Sequence, residues 1–432
     1  MPATRTSPPT GPSGVSVGEA VERLSGTEDP LSGLSDALKT VVERALDGPG
    51  LDAEDALRLA LATEGETPSL CRAAALLRDR GRGRDVSFSP KVFIPLTRLC
   101  RDFCGYCTFR QSPSEADELY MTPDQVLDVA RAGGRLGCTE ALFTLGERPE
   151  QRYPEAREWL DRRGYGTTLD YLRDMCDLVL RETGLLPHAN PGTMSRREVA
   201  GLREVNASMG VMVESLSERL SMPGGPHEMA PSKRPSVRVK TLEIAGQQRV
   251  AFTTGILIGI GETREERIES LLAIRELHRK YGHVQEVIVQ NFRAKPRTAM
   301  EHRLDATTRD LLWTVAAARL VLGPGANVQV PPNLSFEDYP VYLMAGINDW
   351  GGVSPLTIDY VNPEAPWPQM GDLRRRTEEL GFRLRPRLPV YPEYIVAGMD
   401  YVPDSLRDRV RSLSDGDGYA KGGIERYAAS AS

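Results

Sequence analysis

Three cysteines, Cys100, Cys104 and Cys107, stand within eight positions of one another in the segment RLCRDFCGYCTFR. Thiolates grouped in this way are typical metal ligands. A structural zinc site usually completes its four ligands with a nearby Cys or His, but the next cysteine, Cys138, lies far along the chain. Electron-transfer iron–sulfur clusters also use four thiolates. Three thiolates on a four-iron cluster leave one iron open to a substrate or cofactor, and we predict a catalytic cluster of this kind.

The composition limits the possible partners and the compartment. The chain has 432 residues and a formal net charge of -6, and its Lys and Arg residues form no basic stripe, which argues against binding to nucleic acid. The longest nearly uninterrupted apolar run, at 250–261, is shorter than the roughly 20 residues that span a bilayer. The chain also starts without the apolar core of a signal peptide. We therefore expect a cytoplasmic protein without a membrane partner, in which clustered thiols bind metal.

Short apolar runs alternate with amphipathic segments along most of the chain. Such alternation predicts parallel strands with helices outside them, and eight units can close into a (β/α)8 TIM-type barrel. A doubly wound open sheet is the alternative. In either case the chemistry belongs at the carboxyl ends of the strands, where the cysteine segment follows the first strand. The predicted strands are 91–96, 139–146, 184–190, 210–215, 250–259, 284–292, 326–330 and 342–349.

Helix starts and composition suggest four parts of the chain. Thr122, Ser195 and Thr263 each have Gln or Glu three positions later, which is the spacing of a capping box at a helix start. Residues 1–33 are rich in Pro, Gly, Ser and Thr, which predicts a disordered tail. We expect an N-terminal helical extension at 34–85, the barrel at 86–385, and a C-terminal extension at 386–432 with a frayed end.

The cysteine spacing CxxxCxxC, with the aromatic Tyr106 before the third cysteine, resembles the signature of the radical S-adenosylmethionine (SAM) superfamily. The resemblance spans roughly residues 88–385. It implies a [4Fe–4S] cluster held by the three cysteines, with SAM bound at the open iron. In that superfamily the reduced cluster cleaves SAM, and the resulting radical abstracts hydrogen from the substrate. An electron donor of the flavodoxin or ferredoxin type is then an expected partner.

Other motifs agree with this resemblance and imply contacts to SAM. The turn LGE resembles the superfamily's GGE motif, although Leu145 replaces its first glycine. The segment GILIGIGE resembles GxIxGxxE, with Leu257 in place of Ile. Glu214 ends the fourth predicted strand and could bind the ribose hydroxyls, and two nearby cations suit the SAM carboxylate. The implied SAM contacts are Tyr106, Gly146, Glu147, Glu214, Lys233, Arg238, Gly255, Gly259 and Glu262.

Longer stretches closely resemble one family within this superfamily. They are FTLGERPE, LLPHANPG, HEMAPSKRP and AGINDWGGVSPLTIDYVNPEAPWP, and they resemble the CofG-type subunits of 7,8-didemethyl-8-hydroxy-5-deazariboflavin (FO) synthases. The resemblance implies that 5-amino-5-(4-hydroxybenzyl)-6-(D-ribitylimino)-5,6-dihydrouracil is converted to FO with loss of ammonia, a step toward coenzyme F(420). A partner radical SAM synthase makes this substrate from tyrosine, and it is a further candidate partner.

This substrate is neutral, flat at one end and polyhydroxylated at the other, so it requires amide and hydroxyl partners. Asparagines beside Gly and Pro also commonly cap loops, which is the structural alternative for each of them. Three other functions stay open: the tyrosine-consuming partner synthase, a non-catalytic iron–sulfur carrier or sensor, and a zinc-stabilised binding module. The candidate substrate residues are Asn190, Asn291, Arg293, Asn348, Asp349 and Trp350, with Asn348 and Trp350 ranked first.

Overall fold

The structure is a computed structural model that describes residues 29–48, 50–335 and 337–424. Most of the predicted tail at 1–33 lies outside the described residues, as do the last eight residues of the predicted C-terminal extension. The first three helices are α1 (Asp36–Asp47), α2 (Ala53–Arg58) and α3 (Thr67–Arg82). They precede the first strand and cover one side of the barrel.

Eight parallel strands close into a barrel, as the sequence predicts. The first pairs with both the second and the eighth, and each of the others pairs with its neighbour along the chain. A ninth strand pairs in parallel with the first half of the first strand. The strands are β1 (Asp85–Thr97), β2 (Glu140–Leu145), β3 (Leu186–Asn190), β4 (Ser208–Gly210), β5 (Phe252–Ile258), β6 (Val284–Asn291), β7 (Val328–Gln329), β8 (Asp349–Val353) and β9 (Arg383–Pro386).

The helices after the first strand lie outside the barrel or beneath it. Complete capping boxes begin the helices after Thr122, Ser195 and Thr263, which confirms those three predicted starts. In the described part of the chain, no helix has both the length and the hydropathy to cross a bilayer. The helices are α4 (Pro123–Arg135), α5 (Pro154–Asp161), α6 (Thr168–Thr183), α7 (Arg196–Arg203), α8 (Pro235–Gln247), α9 (Arg264–Tyr281), α10 (Thr308–Leu322), α11 (Met370–Glu378), α12 (Pro392–Val396) and α13 (Asp404–Leu413).

The predicted eighth strand is wrong. Tyr339–Ala345 form a 3-10 helix that ends at Gly346, whose φ is 98°, and β8 begins only at Asp349. A short buried apolar run has no periodicity that separates strand from helix, whereas the true strand, DWGGV, is rich in glycine and gives a weak strand signal. The predicted fourth strand is also displaced, because β4 ends at Gly210 and the residues after it form a loop.

The amino end of the barrel is closed by residues that follow β9. The carbonyl of Pro389 accepts hydrogen bonds from Ser208 Oγ at 2.7 Å and from Gln285 Nε2 at 2.9 Å. Arg387 extends from the same segment into the barrel, where it pairs with Asp349 at 2.7 Å. Part of the predicted C-terminal extension therefore forms the bottom of the barrel.

Candidate active site

A cavity of about 380 Å³ opens at the carboxyl ends of the strands and reaches deep into the barrel. All three clustered cysteines line it, together with Tyr106 and Lys233. Seven other predicted site residues also line it, whereas a further six lie elsewhere. Apart from the residues already named, the predicted residues that line the cavity are Gly146, Glu147, Glu214, Arg238, Asn190, Asn291 and Arg293. The predicted residues that lie outside it are Gly255, Gly259, Glu262, Asn348, Asp349 and Trp350.

The cysteine loop, residues 98–110, is held by backbone hydrogen bonds to two other loops. Phe103 N–H donates to the Met229 carbonyl at 2.8 Å, and Gly105 N–H donates to the Pro226 carbonyl at 2.7 Å. On the other side, Arg101 N–H donates to the Glu147 carbonyl at 2.8 Å. These bonds fix the loop over the cavity, so the thiols are positioned by main chain on both sides.

The thiols suit an iron–sulfur cluster better than a single ion. Within the described ranges, no three His, Cys, Asp or Glu side chains converge tightly enough to hold one metal ion. A cubane cluster does not require such convergence, because each of its three thiolates binds a different iron. The backbone N–H of Glu147 also donates to Cys100 Sγ at 3.2 Å, an interaction that tunes cluster thiolates. The other cysteines, Cys71, Cys138 and Cys176, are buried away from the cavity.

Protonation and metal binding compete at these sulfurs. Burial raises the pKa of the Cys100 thiol to about 12, and burial likewise raises that of Cys104 well above its usual range. Without metal both groups are therefore thiols at neutral pH. Iron binds the thiolate, so cluster assembly must release their protons.

Gly146 is required by the close approach of two backbones. A Cβ atom on this residue would lie 1.9 Å from the carbonyl oxygen of Leu99 and 2.9 Å from Cys100 Cβ. Any side chain here would displace the start of the cysteine loop. The close approach of the Leu99 backbone thus explains why the second position of the superfamily motif is glycine. The adjacent position has room for a side chain, and Leu145 occupies it.

We expect Gly146→Ala to lower cluster occupancy at least severalfold, because the loop must move by more than an ångström to admit the methyl group. Iron and sulfide content per chain, measured after anaerobic reconstitution, checks this result. Gly134→Ala is the matched control, because no atom lies within 4 Å of a Cβ built on Gly134 in α4. Equal iron content in both variants would contradict the expectation.

Glu147 lies against the loop that follows β3. Its carboxylate accepts hydrogen bonds from Thr193 Oγ1 at 2.6 Å and from Thr193 N–H at 3.2 Å. A Cβ on Gly192 would overlap this carboxylate, so glycine leaves the space that Glu147 fills. Burial raises the pKa of Glu147 despite the nearby Arg238. An ammonium group brought into the cavity would stabilise the charged carboxylate.

A second carboxylate, Glu214, is the centre of a buried network. Tyr106 Oη and Lys233 Nζ both donate hydrogen bonds to it, and His227 Nε2 lies 3.2 Å from it. Burial alone would raise the pKa of Glu214, but Lys233 and His227 outweigh burial and hold it well below its usual range. Glu214 therefore stays ionised. His227 was not predicted, although it stands in the quoted segment HEMAPSKRP.

Lys233 and Arg238 differ in their availability to a ligand. Lys233 is paired with Glu214, and this pairing raises its pKa against the effect of burial. Arg238 donates from Nε to the Ser232 carbonyl at 2.7 Å and from Nη1 to the Met212 carbonyl at 2.8 Å. Arg238 thus holds two loops together at the cavity wall, whereas Lys233 extends to the carboxylate of Glu214.

The motif GILIGIGE forms the end of β5 and the turn that follows it, and of its residues only Leu257 lines the cavity. The carboxylate of Glu262 accepts hydrogen bonds from the N–H groups of Gly259, Ile260 and Gly261 at 2.7, 2.9 and 3.0 Å. A Cβ on Gly255 would lie 2.2 Å from the Ile288 carbonyl of the neighbouring strand. Gly255, Gly259 and Glu262 therefore shape the end of β5, and none of these three predicted SAM contacts lines the cavity.

The two substrate residues ranked first are not brought to the cavity. Trp350 is fully buried, and its indole N–H donates to Thr377 Oγ1 on α11 at 3.1 Å. Asn348 lies before β8, where its Oδ1 accepts from Arg319 Nη2 at 2.8 Å. The error follows from the misplaced eighth strand, which put these side chains at a strand end rather than at its start. Neither Asn348 nor Trp350 is therefore placed to contact a ligand in the cavity.

Asn291 fits a ligand-binding role better. It is 4% exposed and lines the cavity, and its Oδ1 has no hydrogen-bond partner among the described residues. Buried polar atoms are rarely left unpaired, so this acceptor suits a donor from a bound molecule. Asn190 also lines the cavity, with its Oδ1 3.0 Å from His188 Nε2. Arg293 lies at the exposed rim and pairs with Asp305 at 3.3 Å.

Polar residues at the bottom of the cavity were missed from sequence. Lys91 pairs with Glu140 at 2.6 Å, although both are almost completely buried. We call Lys91, Glu140, His188, Thr253, Glu286 and Gln329 the polar floor. Each of these residues lies in a strand whose sequence is otherwise an ordinary apolar run. The only sequence signal for them is a charged or polar side chain within such a run, where burial would be costly without a partner.

Comparisons with known proteins agree with this geometry. A model of the radical SAM superfamily matches residues 94–274. The 7,8-didemethyl-8-hydroxy-5-deazariboflavin synthase of Methanopyrus kandleri is 55% identical over 336 residues, which cover 78% of this chain and 100% of that protein. The FO synthase of Streptomyces coelicolor is 49% identical over 401 residues, which cover 90% of this chain and 46% of that protein. The chain therefore spans about half the length of the second relative.

A solved structure shows a similar fold at low sequence identity. The FeFe-hydrogenase maturase HydG from Carboxydothermus hydrogenoformans gives a TM-score of 0.66 at 17% identity, covering 96% of this chain and 94% of that chain. This likeness concerns the fold alone. The match to the whole length of the Methanopyrus kandleri protein at 55% identity, together with the three-cysteine loop above the cavity, carries the assignment to a family. The chain belongs to the radical SAM superfamily and, within it, to the FO synthase family.

Proposed function

We propose that this chain converts 5-amino-5-(4-hydroxybenzyl)-6-(D-ribitylimino)-5,6-dihydrouracil to FO with loss of ammonia, as CofG-type subunits do. The single observation that carries the proposal is a cavity that joins the three-cysteine loop to a chamber lined with polar side chains. The relative from Methanopyrus kandleri, whose whole length the chain matches, supports it by its name. As partners we propose a flavodoxin- or ferredoxin-type electron donor and the synthase that supplies the substrate.

The radical SAM superfamily uses a [4Fe–4S] cluster and SAM, and these supply the abstraction of a hydrogen atom from the substrate when they are bound. The residues of this chain have other tasks. Cys100, Cys104 and Cys107 would hold the cluster, and the carboxylates of Glu147 and Glu214 offer acceptors to amine and hydroxyl groups. The barrel wall keeps water and stray hydrogen donors away from a reactive species.

An anaerobic assay tests the proposal. Reconstituted protein with SAM and a reductant is given either the coupled intermediate, or tyrosine and the ribityl-aminouracil. We expect fluorescent FO and 5'-deoxyadenosine from the coupled intermediate alone. Consumption of tyrosine without FO would instead assign the chain to the partner activity. Cleavage of SAM with neither substrate pair consumed would contradict both assignments.

A further inference from the structure

The interior of the barrel is layered, and strand geometry sets the order of the layers. Side chains two positions apart on a strand share a face, so each floor residue has a neighbour one step nearer the carboxyl end. Above Lys91, Glu140 and Glu286 stand Phe93, Leu142 and Ile288, and all six line the cavity. Above Lys91, Glu140 and Glu286 the next layer is therefore apolar, whereas Asn190 stands above His188.

The apolar layer lies between the floor and the cysteine loop. Phe93 stacks on Trp367 with ring centroids 5.2 Å apart and an interplanar angle of 18°, and both rings line the cavity. The cysteine loop follows the carboxyl end of β1, farther from the floor than either. A ligand that reacts near the cluster thus has its flat part among apolar side chains, and anything attached to it can reach the floor.

The charges of the floor are already balanced. Lys91 faces Glu140, and Glu286 accepts hydrogen bonds from Arg387 at 3.2 Å and from Thr253 at 2.9 Å. Each charged group of the polar floor therefore has a partner of opposite charge, so the floor does not favour an ionic ligand such as a phosphate. Burial lowers the pKa of His188 to about 4, so its ring is neutral at pH 7.

The floor nevertheless keeps capacity for further hydrogen bonds. An ammonium group carries three donors, and the bond from Lys91 to Glu140 uses one of them. The Gln329 side chain donates only a long bond, 3.4 Å, to the Trp350 carbonyl. Each hydroxyl of a polyol both donates and accepts, which matches a mixed set of ammonium, amide and carboxylate groups. A neutral polyhydroxyl chain is the chemical class that fits.

We propose that the polar floor binds the polyhydroxyl chain of the ligand, and that the flat ring system lies above it against Phe93 and Ile288, facing the cysteine loop. This inference rests on the proposed function, because the ribityl chain of the substrate and of FO is the polyol in question. It makes the floor residues specificity determinants: they hold the ribityl end while the benzyl end reacts.

Equilibrium dialysis of the reconstituted holoprotein with two probes tests this placement. One probe is FO, and the other is its analogue with a methyl group in place of the ribityl chain. Lost hydrogen bonds weaken binding by about three- to tenfold each, so FO should bind at least about tenfold more tightly than the analogue. Gln329→Leu, which keeps the volume, should weaken FO binding about three- to tenfold and leave analogue binding unchanged.

Two neighbouring threonines supply a matched pair. Thr253 lines the cavity, whereas Thr254, buried on the opposite face of β5, accepts a hydrogen bond from Val213 N–H at 3.3 Å. Thr253→Val should weaken FO binding and Thr254→Val should not. Equal affinity of the wild-type protein for both probes, no binding of FO, or no effect of either floor variant overturns the inference. Turnover is measured separately. If the protein makes FO but binds both probes equally well, only this inference is overturned. If it binds FO more tightly than the analogue but makes no FO, only the proposed function is overturned.

Discussion

Cys104→Ala is expected to abolish both FO formation and the cleavage of SAM. Cys104 lines the cavity between the other two cysteines of the loop, and a cluster with only two thiolates from the protein loses a third of its anchoring bonds. Alanine keeps the backbone and removes only the sulfur. Product fluorescence, 5'-deoxyadenosine and iron content per chain, measured on anaerobically reconstituted protein, check this result.

Cys71→Ala is the control for this experiment. Cys71 is completely buried on α3, and its thiol lies 3.8 Å from the Leu312 carbonyl, away from the cavity. It should keep full iron content and activity, at a stability cost of about 1 kcal/mol for the small cavity that is left. The far-ultraviolet circular dichroism of both variants should match that of the wild-type protein. Wild-type iron and activity in Cys104→Ala would remove the basis of the proposed function.

Local sequence signals predicted the parts of the site that local structure determines. The cysteine spacing specifies a loop whatever surrounds it, and the capping boxes at Thr122, Ser195 and Thr263 form within one helical turn. The strand–helix alternation is equally local, and it predicted the closed barrel. Gly146 and Glu147 were predicted from the resemblance of LGE to the superfamily's GGE motif, and in the structure one turn holds them against the cysteine loop.

The floor of the cavity depends on contacts between distant parts of the chain. Arg387 reaches Asp349 and Glu286 from a segment that follows the last barrel strand, and no spacing rule connects the three. The assignment of Trp350 failed for a related reason, because one misplaced strand moves its side chains from the carboxyl end to the amino end. Periodicity identifies strands, but pairing across the barrel decides which residues meet.

Arg387→Met is expected to lower the free energy of unfolding by about 3–5 kcal/mol, because it leaves two buried carboxylates without their cation. Arg387 is 2% exposed, and it pairs with Asp349 at 2.7 Å and with Glu286 at 3.2 Å. The methionine side chain fills much of the same volume, so the loss is mainly electrostatic. Urea denaturation of the anaerobic protein, followed by circular dichroism, measures the change.

Arg383→Met separates this effect from the general loss of an Arg–Asp pair. Arg383 makes two 2.7 Å hydrogen bonds to Asp85, but its side chain is 68% exposed, and such surface pairs contribute only about 0–1 kcal/mol. Adding Asp349→Asn to Arg387→Met should recover part of the lost stability, because it removes one of the uncompensated charges. Equal urea midpoints for Arg383→Met and Arg387→Met would contradict the prediction, since Arg387 is buried and pairs with two carboxylates, whereas Arg383 is exposed and pairs with one. Recovery in the double variant would show that the loss of stability comes from the carboxylates that are left without a cation. The C-terminal segment, through Arg387, then supplies the positive charge on which the interior of the barrel depends.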